Sequence, residues 1–319
     1  MAAENPIYHS EKQTYTSYLR VPELLGLQRP RTDHHDELLF IISHQVYELW
    51  FKQLLHELTA ICGHLDADRP LRAAQLFDRV HKVQHLLIEQ IPMLETMFSV
   101  EFARFRDSLR PASGFQSVQF RQIEFLCGNK NAKMLALVGE DEAARGEMLA
   151  YLDRPTPYDH FLRHLSREDN DIFKVPREVL TRDTSHPHEP DERLVDSLEV
   201  LYRAQHAGSE AGQKNAGERY YAQMRVAEHL LEFDEKFAIW RFHHVKMVER
   251  MIGTMGGTGG STGAKYLAST LSRPYWPDLW TVRNRLGGGY GGAASGDPAP
   301  GGNAPGAPEA KPSGGCPFA

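Results

Sequence analysis

Two histidines, His44 and His244, sit on apolar stripes at helical spacing and lie 200 residues apart. In the later stretch Phe237, Trp240, Met247, Val248 and Met251 recur with the i, i+3, i+4, i+7 pattern of a buried helical face. His244 falls on that face, one turn from Trp240 and one from Val248, while His243 points to one side. In the earlier stretch Phe40, His44, Tyr47, Phe51, Leu54, Leu55 and Leu58 form the equivalent face. A single histidine in such a setting is ordinarily a core residue with its hydrogen bonds satisfied. Two of them suggest a haem, which needs an apolar slot and one neutral imidazole reaching the iron.

Two further features belong with the histidines. Arg106 follows Phe102 and Phe105, and an arginine can hold a carboxylate through two parallel hydrogen bonds. Thr258 lies in a run with five glycines between Gly256 and Gly263, where backbone can approach a ligand closely. Each has a plainer reading, Arg106 as a stem laid over aromatic rings and Thr258 as loop decoration. Together they suit a flat apolar cofactor beside a substrate that carries a carboxylate.

Other motifs carry less. GGTGGSTGAK lacks the GK[ST] ending of a phosphate loop and follows a helix instead of a strand. HHDE at 34–37 fits a charged helix start, and HPHE at 186–189 a solvated loop. No HExxH spacing occurs, and Cys62, Cys127 and Cys316 are too scattered for a cysteine zinc site. A net charge of −6 argues against nucleic acid or an anionic membrane as the main partner. No 18-residue apolar run and no signal peptide is visible, so a cytoplasmic protein is expected.

The elements that must position these residues are helices throughout. Residues 1–31 read as an irregular arm with Pro6, Pro22, Pro30 and the aromatic YTSYL at 15–19, able to pack on its own domain or on a neighbouring subunit. A long helix is expected from a cap at Thr32 or Asp33 to about Leu65. A second runs from Pro70 towards Leu109 with a bend at Pro92, and a third spans 116–138. Shorter helices follow at 141–152 and 157–165. An irregular connection covers 166–190, then helix resumes at 191–207 and from about Ala216 onward. From Gly287 the chain holds eleven glycines and six prolines in 33 residues, the composition of a disordered tail. The expected class is all-α, with one helical domain over 32–286 between the arm and the tail at 287–319.

Four blocks, FIISHQVYELWFKQ (40–53), FARFRDSLRPASGFQS (102–117), WRFHHVKMVERMIG (240–253) and GTGGSTG (257–263), resemble the signature blocks of the tryptophan 2,3-dioxygenase family. The likeness runs in order from about Tyr15 to the 280s. It implies an all-helical homotetramer, a dimer of dimers, that holds haem b. It implies opening of the indole 2,3 bond of L-tryptophan with O₂ to give N-formyl-L-kynurenine, the first step of tryptophan degradation by the kynurenine pathway. Both oxygen atoms enter the product, so no external reductant is consumed per turnover.

By the same resemblance His244 is the axial iron ligand, and Ser113, Gly114, Trp240 and Gly257 lie against the cofactor. His44 is the distal histidine that accepts a hydrogen bond from the indole N–H. Phe40 lines the indole pocket, and Ile41, Ile42, Ser43 and Phe102, the last at a position where members have phenylalanine or tyrosine, also bind the substrate. Arg106 grips the carboxylate, Thr258 contacts the ammonium and carboxylate, and Tyr15, Tyr18 and Leu19 belong to an arm that closes over a neighbour's site. His243 stands where some relatives have arginine, so the ligand assignment rests on register to Thr258. Two other readings are a haem enzyme acting on another indole and a haem-based gas sensor or carrier.

Overall fold

A computed structural model describes residues 13–204, 219–253, 268, 270–271 and 273–287. Every regular element among them is helical. The long elements are α3 (His35–Asp66), α4 (Pro70–Glu95) and α11 (Tyr221–Ile252). Around them stand α5 (Ser99–Arg106), α6 (Val118–Cys127), α7 (Glu142–Leu152), α8 (Pro157–Phe173), α9 (Arg177–Leu180) and α10 (Glu192–Ala204). The short α1 (Tyr15–Leu19) and α2 (Val21–Leu25) precede them, and α12 (Pro277–Thr281) and α13 (Arg283–Leu286) follow. The chain divides into two compact units, Met1–Leu286 and Gly287–Ala319. Beyond Gly287 the tail lies outside the described residues.

α4 packs most extensively against α11 and α3. Leu54, Leu58 and Ile61 of α3, Phe77 and Val80 of α4, and Val226, Leu230 and Phe233 of α11 have no exposed surface. Each such side chain contributes about 1.5–3 kcal/mol by leaving water. Polar pins fix the register between helices. Tyr47 Oη donates to the Leu87 carbonyl at 2.9 Å, Gln84 Nε2 to the Phe233 carbonyl at 2.9 Å, and Gln90 Nε2 to the Ser43 carbonyl at 2.6 Å. Among the described residues no helix is long and apolar enough to cross a membrane.

Several boundaries differ from those the sequence suggests, each for a local reason. The arm is helical in part, because Thr14 and Ser17 form a capping box for α1 and Pro22 occupies the first turn of α2. Arg20, at φ 52°, separates the two. α3 has His34 at its cap, with no side-chain bond there. Glu37 reaches back to accept from the Arg31 and Thr32 amides at 2.7 and 2.8 Å.

The second long helix does not continue to Leu109. Pro92 is accommodated inside α4, the break falls at Thr96–Phe98, and a 3₁₀ turn (Asp107–Leu109) ends α5. The third is interrupted after Cys127 by Gly128 at φ 116° and resumes as a 3₁₀ segment (Ala132–Val138). α8 extends to Phe173 with a kink at Asp169, whose carboxylate accepts from Tyr220 Oη at 2.9 Å, and α9 forms inside the stretch read as irregular.

The last described segment is tied back by buried carboxylates. Asp234 accepts from the Tyr275 amide and from Trp280 Nε1, both at 2.9 Å. Asp278, fully buried, accepts from Tyr158 Oη at 3.1 Å, His188 Nε2 at 2.5 Å and the Asp191 amide at 2.9 Å. The histidine of HPHE nearest the core therefore serves structure.

Candidate functional site

The α3–α4–α11 core opens at one end into a cavity of about 270 Å³, closed further by α5, the 113–117 turn and α6. Both striped histidines line it, His44 from α3 and His244 from α11.

His244 stacks obliquely on Trp240, with ring centroids 5.2 Å apart. Its Nδ1 is buried without a hydrogen-bond partner, so Nε2 is the nitrogen left to serve a group in the cavity. Burial, and then the electrostatic influence of neighbouring His44 and Arg121, lower its pKa to about 4. At neutral pH the imidazole therefore keeps a lone pair, the form a metal requires.

His44 counts as exposed by area because its ring faces the cavity, yet the protein mass around it still lowers its pKa. The Phe40 carbonyl and Glu48 oppose that shift without cancelling it. His44 Nδ1 lies 2.7 Å from the Phe40 carbonyl. A carbonyl only accepts, so Nδ1 carries the proton and Nε2 is left as an acceptor.

Phe40 stacks on His44 at 4.1 Å and touches Phe102 and Phe105, each at 5.8 Å. This aromatic wall leads to Arg106, at the end of α5 on the cavity edge. Ser113 caps the next turn by accepting from the Phe115 amide at 3.3 Å. A Cβ built on Gly114 would meet no atom within 4 Å.

The structure thus brings His44, Phe40, Phe102, Arg106, Ser113, Gly114, Trp240 and His244 to one cavity. Ile41, Ile42 and Ser43 lie off it: Ile42 is exposed, and Ser43 is buried with its carbonyl bonded to Gln90. Tyr15, Tyr18 and Leu19 are exposed, the tyrosines at 78% and 69%, and do not line it. Gly257 and Thr258 lie outside the described residues.

Sequence reasoning did not find the charged floor. Arg121 and Glu124 pair at 2.5 Å with almost no exposure, and Arg241 Nη2 donates to Tyr275 Oη at 2.5 Å while standing 3.8 Å from Glu124. Burial works against the Arg241 charge, but Tyr275 and Glu124 raise its pKa above the ordinary value. Glu48 is a further omission. It lines the cavity and accepts from Ser117 Oγ at 2.6 Å and Gln119 Nε2 at 2.8 Å, tying α3 to the start of α6. Carboxylates and guanidiniums spaced i, i+3 look like an ordinary solvated helix face, and only packing reveals their burial.

A cavity with two neutral imidazoles, an aromatic wall and an arginine at its edge agrees with the comparisons. The family model described as tryptophan 2,3-dioxygenase matches residues 1–144 and 201–286. A tryptophan 2,3-dioxygenase of Kineococcus radiotolerans is 40% identical over 280 residues, 87% of this chain and 93% of its own. One from Anaeromyxobacter dehalogenans is 42% identical over 284 residues, covering 88% and 99%, and one from Serratia proteamaculans 38% identical over 280, covering 87% and 95%. The match spans the elements that build the cavity, and the chain belongs to the tryptophan 2,3-dioxygenase family.

Proposed function

We propose that this chain is a haem-dependent dioxygenase that opens the indole 2,3 bond of L-tryptophan with O₂ to give N-formyl-L-kynurenine. The observation that carries this reading is the 2.7 Å contact between His44 Nδ1 and the Phe40 carbonyl. With Nδ1–H committed to the Phe40 carbonyl, Nε2 can only accept, and an indole N–H is a donor of matching kind.

The lining fits a haem. It is largely apolar, His244 offers Nε2 with Nδ1 buried behind it, and Gly114 presents no side chain. His244 would hold the iron, and Trp240, Ser113, Gly114 and, from outside the described residues, Gly257 would help hold the cofactor. Ferrous haem b, when bound, supplies the redox chemistry with O₂. The chain supplies placement and polarity. Arg106, with Thr258, holds the amino-acid end and so sets where the indole lies, while Phe40 and Phe102 flank the ring. His44 orients the indole through its N–H and keeps that proton from being stranded unpaired.

We assign Tyr15, Tyr18 and Leu19 to a neighbouring subunit's site within a homotetramer, a reading supported by their exposure on a short capped helix. The buried free thiols of Cys62 and Cys127 support a cytoplasmic location. The test is one spectroscopic experiment on the purified, reduced protein: a Soret band, then formylkynurenine absorbance on adding L-tryptophan and O₂. A protein with a Soret band and no product from tryptophan would be a gas sensor or carrier. One that turned over a different indole preferentially would be a relative with altered substrate.

A further inference from the structure

Between the middle of α4 and the N-terminal half of α11 lies a second polar cluster that the reaction does not use. His81 and His229 are both nearly buried, and their facing nitrogens, Nε2 and Nδ1, stand 3.1 Å apart. Glu232, one turn beyond His229 on α11, places Oε2 3.5 Å from His81 Nε2 and 3.9 Å from His229 Nδ1. The other carboxylate oxygen, Oε1, is engaged by Lys236 at 3.2 Å, which leaves Oε2 turned towards the imidazoles. Three ligand atoms of the right kinds thus converge within 4.8 Å of one another.

We infer that His81, His229 and Glu232 form a site for one divalent transition-metal ion of the zinc type, clamping α4 to α11. The edges carry the argument. A tetrahedral centre with bonds of about 2.0–2.1 Å has ligand-to-ligand edges of about 3.3–3.4 Å. The three edges here, 3.1, 3.5 and 3.9 Å, bracket that value without any backbone movement. The donor set, two imidazoles and a carboxylate, suits zinc, with the fourth position left to water.

The supporting groups fit as well. His81 Nδ1 lies 3.0 Å from Gln84 Oε1, and Gln84 is fixed by its own bond to the Phe233 carbonyl. That arrangement puts the His81 proton on Nδ1 and the lone pair on Nε2, facing the site. Beyond His229, the Asp78 carboxylate stands 3.7 Å from Nε2, ready to accept the Nε2 proton once Nδ1 binds a metal. Arg225 now touches that same nitrogen at 2.9 Å. It is a part-exposed side chain that already lies 3.6 Å from Asp78, so it can swing onto the carboxylate as the proton moves. The site lies roughly 15 Å from the catalytic cavity along each helix, ten residues before Ile91 on α4 and eleven before Trp240 on α11.

The test uses the full chain, stripped of loose metal with a chelator and dialysed against buffered Zn²⁺, with bound zinc and protein measured together. The wild type should hold one zinc per chain at micromolar free Zn²⁺. Glu232→Gln keeps a part-exposed side chain of the same shape, and it should weaken binding by at least about tenfold, as loss of a ligand exceeds loss of an outer partner. His229→Gln should remove the tight equivalent. His85→Gln, at an exposed histidine on α4 one turn from His81, should change nothing. Zn²⁺ should also raise the wild-type melting temperature and leave that of Glu232→Gln unmoved. Wild-type protein that takes up no zinc, or variants that bind it as the wild type does, would overturn the assignment.

Discussion

His243 and His244 are neighbours with opposite surroundings: one ring is exposed, and the other lines the cavity with Nδ1 sealed behind it. The expected consequence is asymmetric. His244→Ala should purify folded with little haem, while His243→Ala should keep it, measured as the Soret absorbance per chain. Haem loss confined to the His243 variant would reverse the ligand assignment. His44 makes a subtler prediction. A hydrogen bond from a neutral N–H is worth about 0.5–1.5 kcal/mol net, more when the donor is left buried. His44→Ala should therefore slow turnover by roughly ten- to a hundredfold and leave measurable activity. Complete loss of turnover with haem and tryptophan still bound would instead make His44 an obligatory base. Arg106 bears on specificity: tryptamine has no carboxylate to offer the guanidinium, and a site built for a charged group can reject the deficient analogue by roughly 10⁴-fold. Comparable turnover of tryptamine and tryptophan would remove Arg106 from the substrate's grip.

At the scale of elements, α8 is started and held by one buried carboxylate. Asp159 accepts from the Thr156 amide at 2.7 Å and from Arg182 through both oxygens, at 2.9 and 3.0 Å. Burial pushes its pKa up, but Arg182 and Thr156 outweigh that and hold it below the usual carboxylate range. A depressed folded-state value means stability that is present above the unfolded value and lost as pH falls through the folded one. Asp159→Asn should thus cost a few kcal/mol near neutrality, about 2–3, because the largely covered Arg182 is left beside an uncharged group. The gap between variant and wild type in urea unfolding should narrow as pH drops below the carboxylate range. An equal gap at neutral and strongly acid pH would rule out the ion pair as its source.

The same scale shows what a reader of residues can and cannot see. The stripes of α3 and α11 are legible because a period of 3.6 is written into residue types, so His44 and His244 stand out before any coordinates exist. The break at Thr96 is not legible, since Pro92 is the louder signal and a helix can carry a proline when its neighbours support the freed carbonyl. Nor is the burial of Arg121 and Glu124, where polar residue types conceal a position that only tertiary packing decides. The helical arm is obscure for the opposite reason: prolines at 6, 22 and 30 argue against helix, while Thr14 and Ser17 cap one between them.

At the scale of the whole molecule, the exposed aromatic arm predicts shared sites. A chain lacking residues 1–20 should keep haem and lose activity, and His244→Ala should keep the arm and lack haem. Co-expressed, the two should form mixed oligomers in which an intact arm meets an intact haem, and activity should return in part. Verified mixed oligomers as inactive as their parents would confine the arm to its own chain.

The bond from Gln84 to the Phe233 carbonyl joins residues 149 apart in sequence. On a ribosome that adds about 5–20 residues per second, α4 leaves the tunnel roughly seven to thirty seconds before the helix it must meet. During that interval α3 and α4 have each other and, as they emerge, α6 and α8, but the face of α4 that meets the last long helix stays uncovered and His44 waits for a cavity that is not yet complete. Completion of the site is therefore timed by synthesis of the intervening segment, much of which, residues 145–200, the family model leaves unmatched. Lengthening or slowing that segment should delay haem uptake on the nascent chain while leaving the finished site unchanged.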